Sequence, residues 1–257
     1  MISLSKSGFY YHHKKRDDSA IIDALNCLVE QHPQEGFWLS YNRLRLEGNP
    51  WNHKRVFRVY QSIGLSLRRK KKKRIPTRVK EPLIVPESLN KTWSIDFTSD
   101  ALNDKRKFRT FNVMDDYNRE ALHVEVDHSL PSTKVVYVLN RLCKMRGAPE
   151  KIRMDNGPEF IAHMLKEWSV VMGIEFQYIQ PGKPTQNAYI ERLNRTFREK
   201  VLDAYVFNDL MEVREQTEIW MEDYNTKRPH SSLGNLPPKQ FANIDILKTE
   251  VSNISTL

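Results

Sequence analysis

The chain has 257 residues and a formal net charge of +9, with 28% charged and 39% hydrophobic residues. This length suits one large domain or two small ones with a buried core. Only Cys27 and Cys143 are present, so no disulfide framework is expected and a reducing compartment fits. No stretch approaches the ~18 apolar residues of a membrane span, and the N-terminus lacks the apolar core of a secretory signal. We therefore expect a soluble cytoplasmic protein without a membrane partner.

Basic charge is concentrated at the N-terminal end. Residues 1–80 contain 18 Lys and Arg against 6 Asp and Glu, a balance of +12. Residues 81–257 contain 23 against 26, a balance of −3. This asymmetry indicates that the N-terminal third binds a polyanion.

Residues 1–67 are predicted to form a small all-α domain of three helices. The first begins after Asp17, the second starts near Phe37, and Asn52 can cap the third. In the third helix we expect four residues to face inward: Val56, Phe57, Tyr60 and Ile63. Its other side presents three basic residues: Lys54, Arg55 and Arg58. This pattern is typical of a helix-turn-helix-like DNA-binding module, and a helical bundle with a solvated charged face is the alternative.

Residues 68–85 are predicted to be a basic linker that contains prolines. The linker opens with seven consecutive basic residues: Arg68, Arg69, Lys70, Lys71, Lys72, Lys73 and Arg74. Such a run repels itself, so we expect it to be extended when free and to neutralise phosphates on DNA.

Residues 86–241 are predicted to form an α/β domain, and residues 242–257 a loose tail. Short strands are predicted around Asp96, at 108–114, at 121–126, before Asp155 and at 174–179, with helices starting near Pro131 and Phe160. Three hairpin-like strands followed by alternating strand and helix indicate a mixed five-stranded sheet flanked by helices. Asp115 and Asp116 lie in a predicted turn, where we expect them to be solvated.

A loop with Gly182 and two prolines leads into a strongly periodic helix. The apolar stripe of this helix consists of Ile190, Leu193, Phe197 and Val201, and another face carries Asn187, Glu191, Arg195 and Arg198. Taken alone, Glu191 and Arg195 are the pattern of an ordinary i,i+4 ion pair.

Two further acids interrupt apolar strands. Asp96 lies within Thr92-Trp-Ser-Ile-Asp-Phe-Thr98, and Asp155 ends Lys151-Ile-Arg-Met-Asp before an Asn-Gly turn. A buried acid is costly unless it is paired, hydrogen-bonded or bound to a metal. Fifty-eight residues lie between Asp96 and Asp155, and 35 between Asp155 and Glu191.

This spacing resembles the Asp, Asp, Glu pattern of retroviral integrases and DDE transposases. Two flanking stretches, Asp155-Asn-Gly-Pro-Glu-Phe160 and Asn187-Ala-Tyr-Ile-Glu-Arg-Leu-Asn194, narrow the resemblance to the second-reading-frame (OrfB) transposases of bacterial insertion sequences. The C-terminal stretch from Tyr224 to Phe241, with Arg228-Pro-His230 inside it, is similar to the terminal signature of the same proteins.

The resemblance implies a ribonuclease H-like fold and a site for two Mg²⁺ or Mn²⁺ ions. It gives Asp96 the position between both ions, with Asp155 binding one and Glu191 the other. It also implies that Arg198 binds a phosphate at the transposon end, although a solvated helix charge is the simpler alternative. Lys183 and Arg195 are further candidate DNA contacts.

The implied activity is metal-dependent cleavage of element ends and their transfer into target DNA. The implied partners are double-stranded DNA at the element ends and the target, further copies of the chain, and the product of an upstream reading frame. The expected location is the bacterial cytoplasm, on the nucleoid. Two other functions stay open: a nuclease without strand transfer, and a non-catalytic DNA-binding regulator.

Overall fold

A computed structural model describes residues 17–67, 85–180 and 184–244, together with residues 6, 10 and 247. The chain divides into two compact units, Met1–Lys71 and Lys72–Leu257. The basic run at 68–74, Lys183 and nearly all of the predicted lead-in and tail lie outside the described residues. Within the described residues, no helix is long and apolar enough to cross a membrane.

Residues 17–67 of the first unit contain three helices: α1 Ser19–Gln31, α2 Phe37–Leu46 and α3 His53–Ser62. Helix α3 begins as the sequence predicts, because the Asn52 side chain accepts a hydrogen bond of 2.9 Å from the Lys54 amide. Val56, Val59 and Tyr60 pack into a core shared by the three helices. The prediction for Phe57 was wrong, since this residue is 42% exposed. It follows Val56 by about 100° around the helix and only borders the core.

The second unit is built on a mixed five-stranded sheet. Its strands are β1 Thr92–Ala101, β2 Lys107–Asp115, β3 Ala121–Asp127, β4 Lys151–Met154 and β5 Glu175–Tyr178. The order across the sheet is β3-β2-β1-β4-β5, with β1, β2 and β3 antiparallel and β4 and β5 parallel to β1. The predicted sheet is therefore confirmed.

Helices cover both faces of this sheet. Helices α4 Ser132–Arg146 and α5 His163–Met172 pack on one face, where Trp93 and Ile95 of β1 are buried. On the other face lie α6 Ala188–Phe197, its π-helical continuation Arg198–Leu202, and α7 Leu210–Thr226. Because side chains alternate along a strand, Asp96 points to the face covered by α6.

The acids of the β2–β3 turn are buried, and the prediction that they are solvated was wrong. Asp115 and Asp116 are both 0% exposed. Asp115 accepts a hydrogen bond of 2.9 Å from the Asn90 amide. Asp116 accepts bonds from the Ser94 hydroxyl at 2.6 Å and from Arg153 at 2.7 Å. The turn preference of Asp is a local rule, whereas these partners come from residues distant in sequence, just before β1, in β1 and in β4.

Helix α7 and the segment after it hold strand β3 and the turn before it. The Asn225 side chain makes two 2.9 Å hydrogen bonds to Ala121, one to its amide and one to its carbonyl. Arg214 donates a 2.9 Å bond to the carbonyl of Val126 near the other end of β3. After α7, a short 3-10 turn at Ser231–Leu233 leads to a bridge between His230 and Leu236.

Candidate active site

Strand pairing brings the first two candidate acids next to each other. Strand β4 runs parallel to β1, with Ser94 opposite Arg153. Continuing this register by two residues along each strand sets Asp155 beside Asp96. Two acids with 58 residues between them in the sequence thus lie side by side on the α6-covered face.

The carboxylate of Asp96 is mostly buried and held by two hydrogen bonds. Oδ1 accepts a bond of 2.8 Å from the Phe97 amide, and Oδ2 accepts one of 2.7 Å from Asn194. Burial, together with the negative charges of Asp155 and Glu191, raises the pKa of Asp96 to about 6. All three candidate acids therefore lie close enough to interact electrostatically.

The loop after β4 orients Asp155. Its Oδ1 accepts a hydrogen bond of 2.9 Å from the Gly157 amide. A Cβ atom built on Gly157 would lie 2.9 Å from this same oxygen, closer than such atoms approach. Asn156 donates a 3.0 Å bond to the Ile179 carbonyl and so fixes the loop to the end of β5. The Asn-Gly pair thus supports the carboxylate as well as making the turn.

Glu191 lies in the first turn of α6 and is exposed. The predicted apolar stripe of this helix is confirmed, because Ile190, Leu193 and Phe197 are all buried against the sheet. The stripe anchors the helix over the face that carries Asp96. Glu191 itself is exposed and lies outside this apolar stripe.

Two asparagines at the site were missed by the sequence analysis. Asn112, directly opposite Asp96 on β2, is fully buried and donates a 2.7 Å hydrogen bond to Asn194 Oδ1. The amide of Asn194 then donates to Asp96. The alternation of β2 could have indicated that Asn112 faces α6, but its partner 82 residues later could not be read from local pattern.

The carboxylates of Asp96, Asp155 and Glu191 suit a hard divalent cation, although they are not arranged as a complete set of ligands around one position. Carboxylate oxygens are the ligands that Mg²⁺ and Mn²⁺ prefer. The like charges that raise the pKa of Asp96 are those that a cation would offset. Among the described residues, no group of three or more His, Cys, Asp or Glu side chains is arranged to hold a metal ion as it stands. Asp96 and Asp155 lie on or next to adjacent strands, whereas Glu191 comes from helix α6.

Two of the candidate DNA-binding residues of the first unit form ion pairs with an acid of the same unit. Arg55 donates a 2.8 Å bond to Asp18, and Arg58 pairs with the same carboxylate at 2.5 Å. Both positive charges are thus partly offset at the start of α1. Lys54 is exposed.

The candidate DNA contacts on α6 differ from each other. Arg195 is exposed. Arg198 donates a 2.8 Å bond to the Ser99 carbonyl and pairs with Asp100 at 3.3 Å and Asp203 at 3.6 Å. The guanidinium of Arg198 therefore connects the end of α6 to the end of β1.

Solved structures with this fold include retroviral integrases. One match is a chain in the cryo-EM structure of a simian T-cell lymphotropic virus intasome in complex with PP2A regulatory subunit B56 gamma. The match covers 85% of this chain and 74% of that chain, with a TM-score of 0.55 and 13% sequence identity. The HTLV-2 integrase catalytic core domain, solved in complex with magnesium, matches 61% of the chain over 98% of its own length, with TM-score 0.50 and 16% identity. The second unit thus has the ribonuclease H-like fold of integrase catalytic cores.

Sequence comparisons identify the family. Two models described as integrase core domain match residues 86–184 and 172–238. The insertion element IS407 31.7 kDa protein of Burkholderia multivorans is 37% identical over 94% of this chain and 88% of its own. The transposase InsD for insertion element IS2 of Escherichia coli is 23% identical over 88% of this chain and 79% of its own. The chain belongs to the DDE-type insertion-sequence transposases with an integrase-like core.

Proposed function

We propose that this transposase cleaves DNA at the ends of an insertion sequence and joins the ends to target DNA. The observation that supports this most is the convergence of Asp96, Asp155 and Glu191, whose charges act on one another although they come from two strands and a helix. Asp96, Asp155 and Glu191 would together hold the Mg²⁺ or Mn²⁺ ions. When bound, such ions activate an attacking oxygen and stabilise the leaving oxygen.

The protein groups have separate tasks in this reaction. Asn194 holds Asp96 Oδ2, and the Gly157 amide holds Asp155 Oδ1, so that both carboxylates keep their orientation. Glu191 closes the site from the exposed side of α6 once DNA is bound. In cleavage, a water oxygen attacks phosphorus in line and the bond to the 3′ oxygen breaks. In joining, the freed 3′-hydroxyl attacks a target phosphodiester and displaces a target 3′ oxygen.

DNA binding is proposed to involve both units and the segment between them. Residues 1–67 would form the DNA-binding domain, residues 68–85 the linker and residues 86–241 the catalytic core. The basic run 68–74, together with Lys54, Lys183, Arg195 and Arg198, would neutralise phosphates of the element ends or the target. Arg55 and Arg58 would join them by exchanging Asp18 for a phosphate. The active form is proposed to be an oligomer on DNA, together with the upstream-frame product, in the cytoplasm at the nucleoid.

The test is a strand-transfer assay with a duplex that carries the element's terminal repeats. The full chain, with the upstream-frame product, is incubated with Mg²⁺ and a target plasmid. We expect joined products with Mg²⁺ or Mn²⁺ and none with a chelator. Hydrolysed ends without joined products would instead identify a nuclease, and the absence of both would favour a non-catalytic regulator.

A further inference from the structure

Arg119 is a buried cation whose side chain makes no hydrogen bond to any residue that the structure describes. It lies between β2 and β3 with a left-handed backbone, φ 61°, and is 8% exposed. Its Nη1 atom is buried and makes no hydrogen bond, and within the described residues Arg119 forms no ion pair. A guanidinium stays charged in proteins, so burying it is unfavourable unless acceptors surround it.

The contact that Arg119 does make leaves its donors unused. Its Cζ atom lies 3.4 Å from the centroid of the Tyr189 ring on α6. A cation–π contact involves the face of the guanidinium, whereas the N–H groups point outward in its plane. The carboxylate of Asp116 is already bonded to Ser94 and Arg153. The geometry therefore calls for an additional acceptor.

A second unpartnered nitrogen and two more arginines lie in the same region. The His230 ring packs edge to face on Tyr224, with 4.7 Å between centroids, and its Nε2 atom is buried without a hydrogen bond in the described structure. Burial, followed by the positive charges of Arg228, Arg192 and Arg119, lowers the pKa of His230 to about 3. Three arginine charges thus act on one neutral imidazole.

We propose that Arg119, Arg192, Arg228 and His230 form a binding site for one phosphate of the DNA backbone, referred to here as the Arg119 site. Phosphate oxygens would accept hydrogen bonds from the arginine forks and from His230 in its Nε2–H tautomer. The assignment to DNA rests on the proposed function. It is favoured because Arg192 directly follows Glu191, so the Arg119 site and the candidate active site share helix α6.

This inference gives the terminal signature a role. Arg228 and His230 belong to that signature, and the segment is attached to the turn that carries Arg119. Asn118 donates a 3.4 Å bond to the Pro238 carbonyl, and the Tyr117 and Phe241 rings lie 5.6 Å apart. The signature would therefore bring Arg228 and His230 next to the turn that carries Arg119.

The experiment compares the full chain with the variants Arg119→Met and Arg192→Met. Arg119→Met keeps the packing against Tyr189 but removes the charge and the donors. Arg106→Met is the matched control, because Arg106 is an exposed arginine of the same unit that pairs with Asp104. Two probes are used: inorganic phosphate, replacing chloride at constant ionic strength while melting is followed, and a short duplex whose affinity is measured against salt.

We expect phosphate to raise the melting temperature of the wild type and of Arg106→Met, but not of Arg119→Met. In chloride, Arg119→Met should melt at or above the wild-type temperature because an unpaired buried charge is gone. Its affinity for the duplex should fall about tenfold, as for the loss of one charge-assisted contact, with a salt slope shallower by about one. Arg192→Met, at an exposed position, should likewise reduce the stabilisation by phosphate and the affinity for the duplex.

Equal phosphate effects in the wild type and both variants of the Arg119 site would overturn the proposal. A wild type that does not respond to phosphate, with Arg119→Met simply less stable, would make Arg119 a packing residue and also overturn it. A phosphate effect with unchanged duplex affinity would overturn the assignment to DNA. If Arg119→Met does not fold, Arg192→Met decides by the same criteria. None of these readouts requires strand cleavage, so a catalytically inactive protein would refute the proposed function without affecting this site.

Discussion

Asn194 and Asp96 are joined by a hydrogen bond of 2.7 Å that links the helix of one candidate acid to the strand of another. Asn194 lies three residues after Glu191, about one helical turn away. Its own carbonyl oxygen is held by buried Asn112. The separation between Asp96 and the start of α6 is thus set by a chain of two amides rather than by apolar packing alone.

The first prediction concerns this chain of amides. Asn194→Ala should lower metal-dependent cleavage about 10–100-fold, as is usual when a group that orients a metal ligand is removed. DNA affinity should stay unchanged. Thr196→Ala is the control, because Thr196 lies on the same helix and its hydroxyl donates to the Arg192 carbonyl within that helix. Equal cleavage rates for the two variants would show that Asn194 does not position Asp96.

The second prediction concerns the three acids. Asp96→Asn, Asp155→Asn and Glu191→Gln change little volume, so each variant should fold and bind DNA while losing cleavage and joining. Asp96→Asn should also melt slightly above the metal-free wild type, because it removes a buried charge next to two like charges. Cleavage assays with Mg²⁺ and melting curves in a chelator measure both effects. Substantial activity in any variant would exclude that residue from the site.

The third prediction concerns acid stability. His230 has a folded pKa of about 3, below the value near 6.5 of an unfolded chain. The unfolded state therefore binds more protons below pH 6.5, and stability is lost as the pH falls from 6.5 towards 3. At pH 5 this histidine should cost about 2 kcal/mol relative to pH 7.

The test uses His230→Phe, which keeps a ring against Tyr224 but does not titrate. Denaturant unfolding at pH 7 and pH 5 should show a smaller loss of stability in the variant than in the wild type. His163→Phe, at an exposed histidine, controls for replacing an imidazole by a phenyl ring. Identical losses in wild type and His230→Phe would contradict the prediction.

The fourth prediction concerns the first unit and the basic run. A fragment of residues 85–257 contains both apolar clusters of the sheet and should fold. Because the balance of +12 lies in residues 1–80, the fragment should bind duplex DNA far more weakly than the full chain, with a shallower salt dependence. Titrations of labelled duplex at several salt concentrations measure this. Equal affinities at moderate salt would place the main DNA contacts in the catalytic unit.

Periodicity alone predicted most elements of the fold. The alternation in β1 and the apolar stripe of α6 are strong patterns, and Gly147 and Gly173 end α4 and α5 with positive φ. The proximity of Asp155 to Asp96 could not be predicted in this way, because it depends on the parallel pairing of β1 and β4, which are distant in sequence. The resemblance to known transposases supplied it.

The errors have the same cause. Asp116 was expected in water because its immediate neighbours form a turn, but Arg153 and Ser94 from two other strands bury it. Asn112 and Asn194 were overlooked because a polar residue in a strand or helix has no visible partner until the two elements are packed. Local sequence rules predict the helices and strands well. Networks of polar side chains depend instead on which helices and strands pack against each other.

The hydrogen bonds from α7 to β3 have a consequence for how the protein behaves at high concentration. Strand β3 is an edge of the sheet, and an unpaired edge is a template on which another chain can add a strand. Asn225 occupies both backbone groups of Ala121, as a neighbouring strand would, and Arg214 occupies the carbonyl of Val126. Helix α7 thus occupies hydrogen-bonding groups of β3 that a strand from a second copy of the chain would need for edge-to-edge pairing.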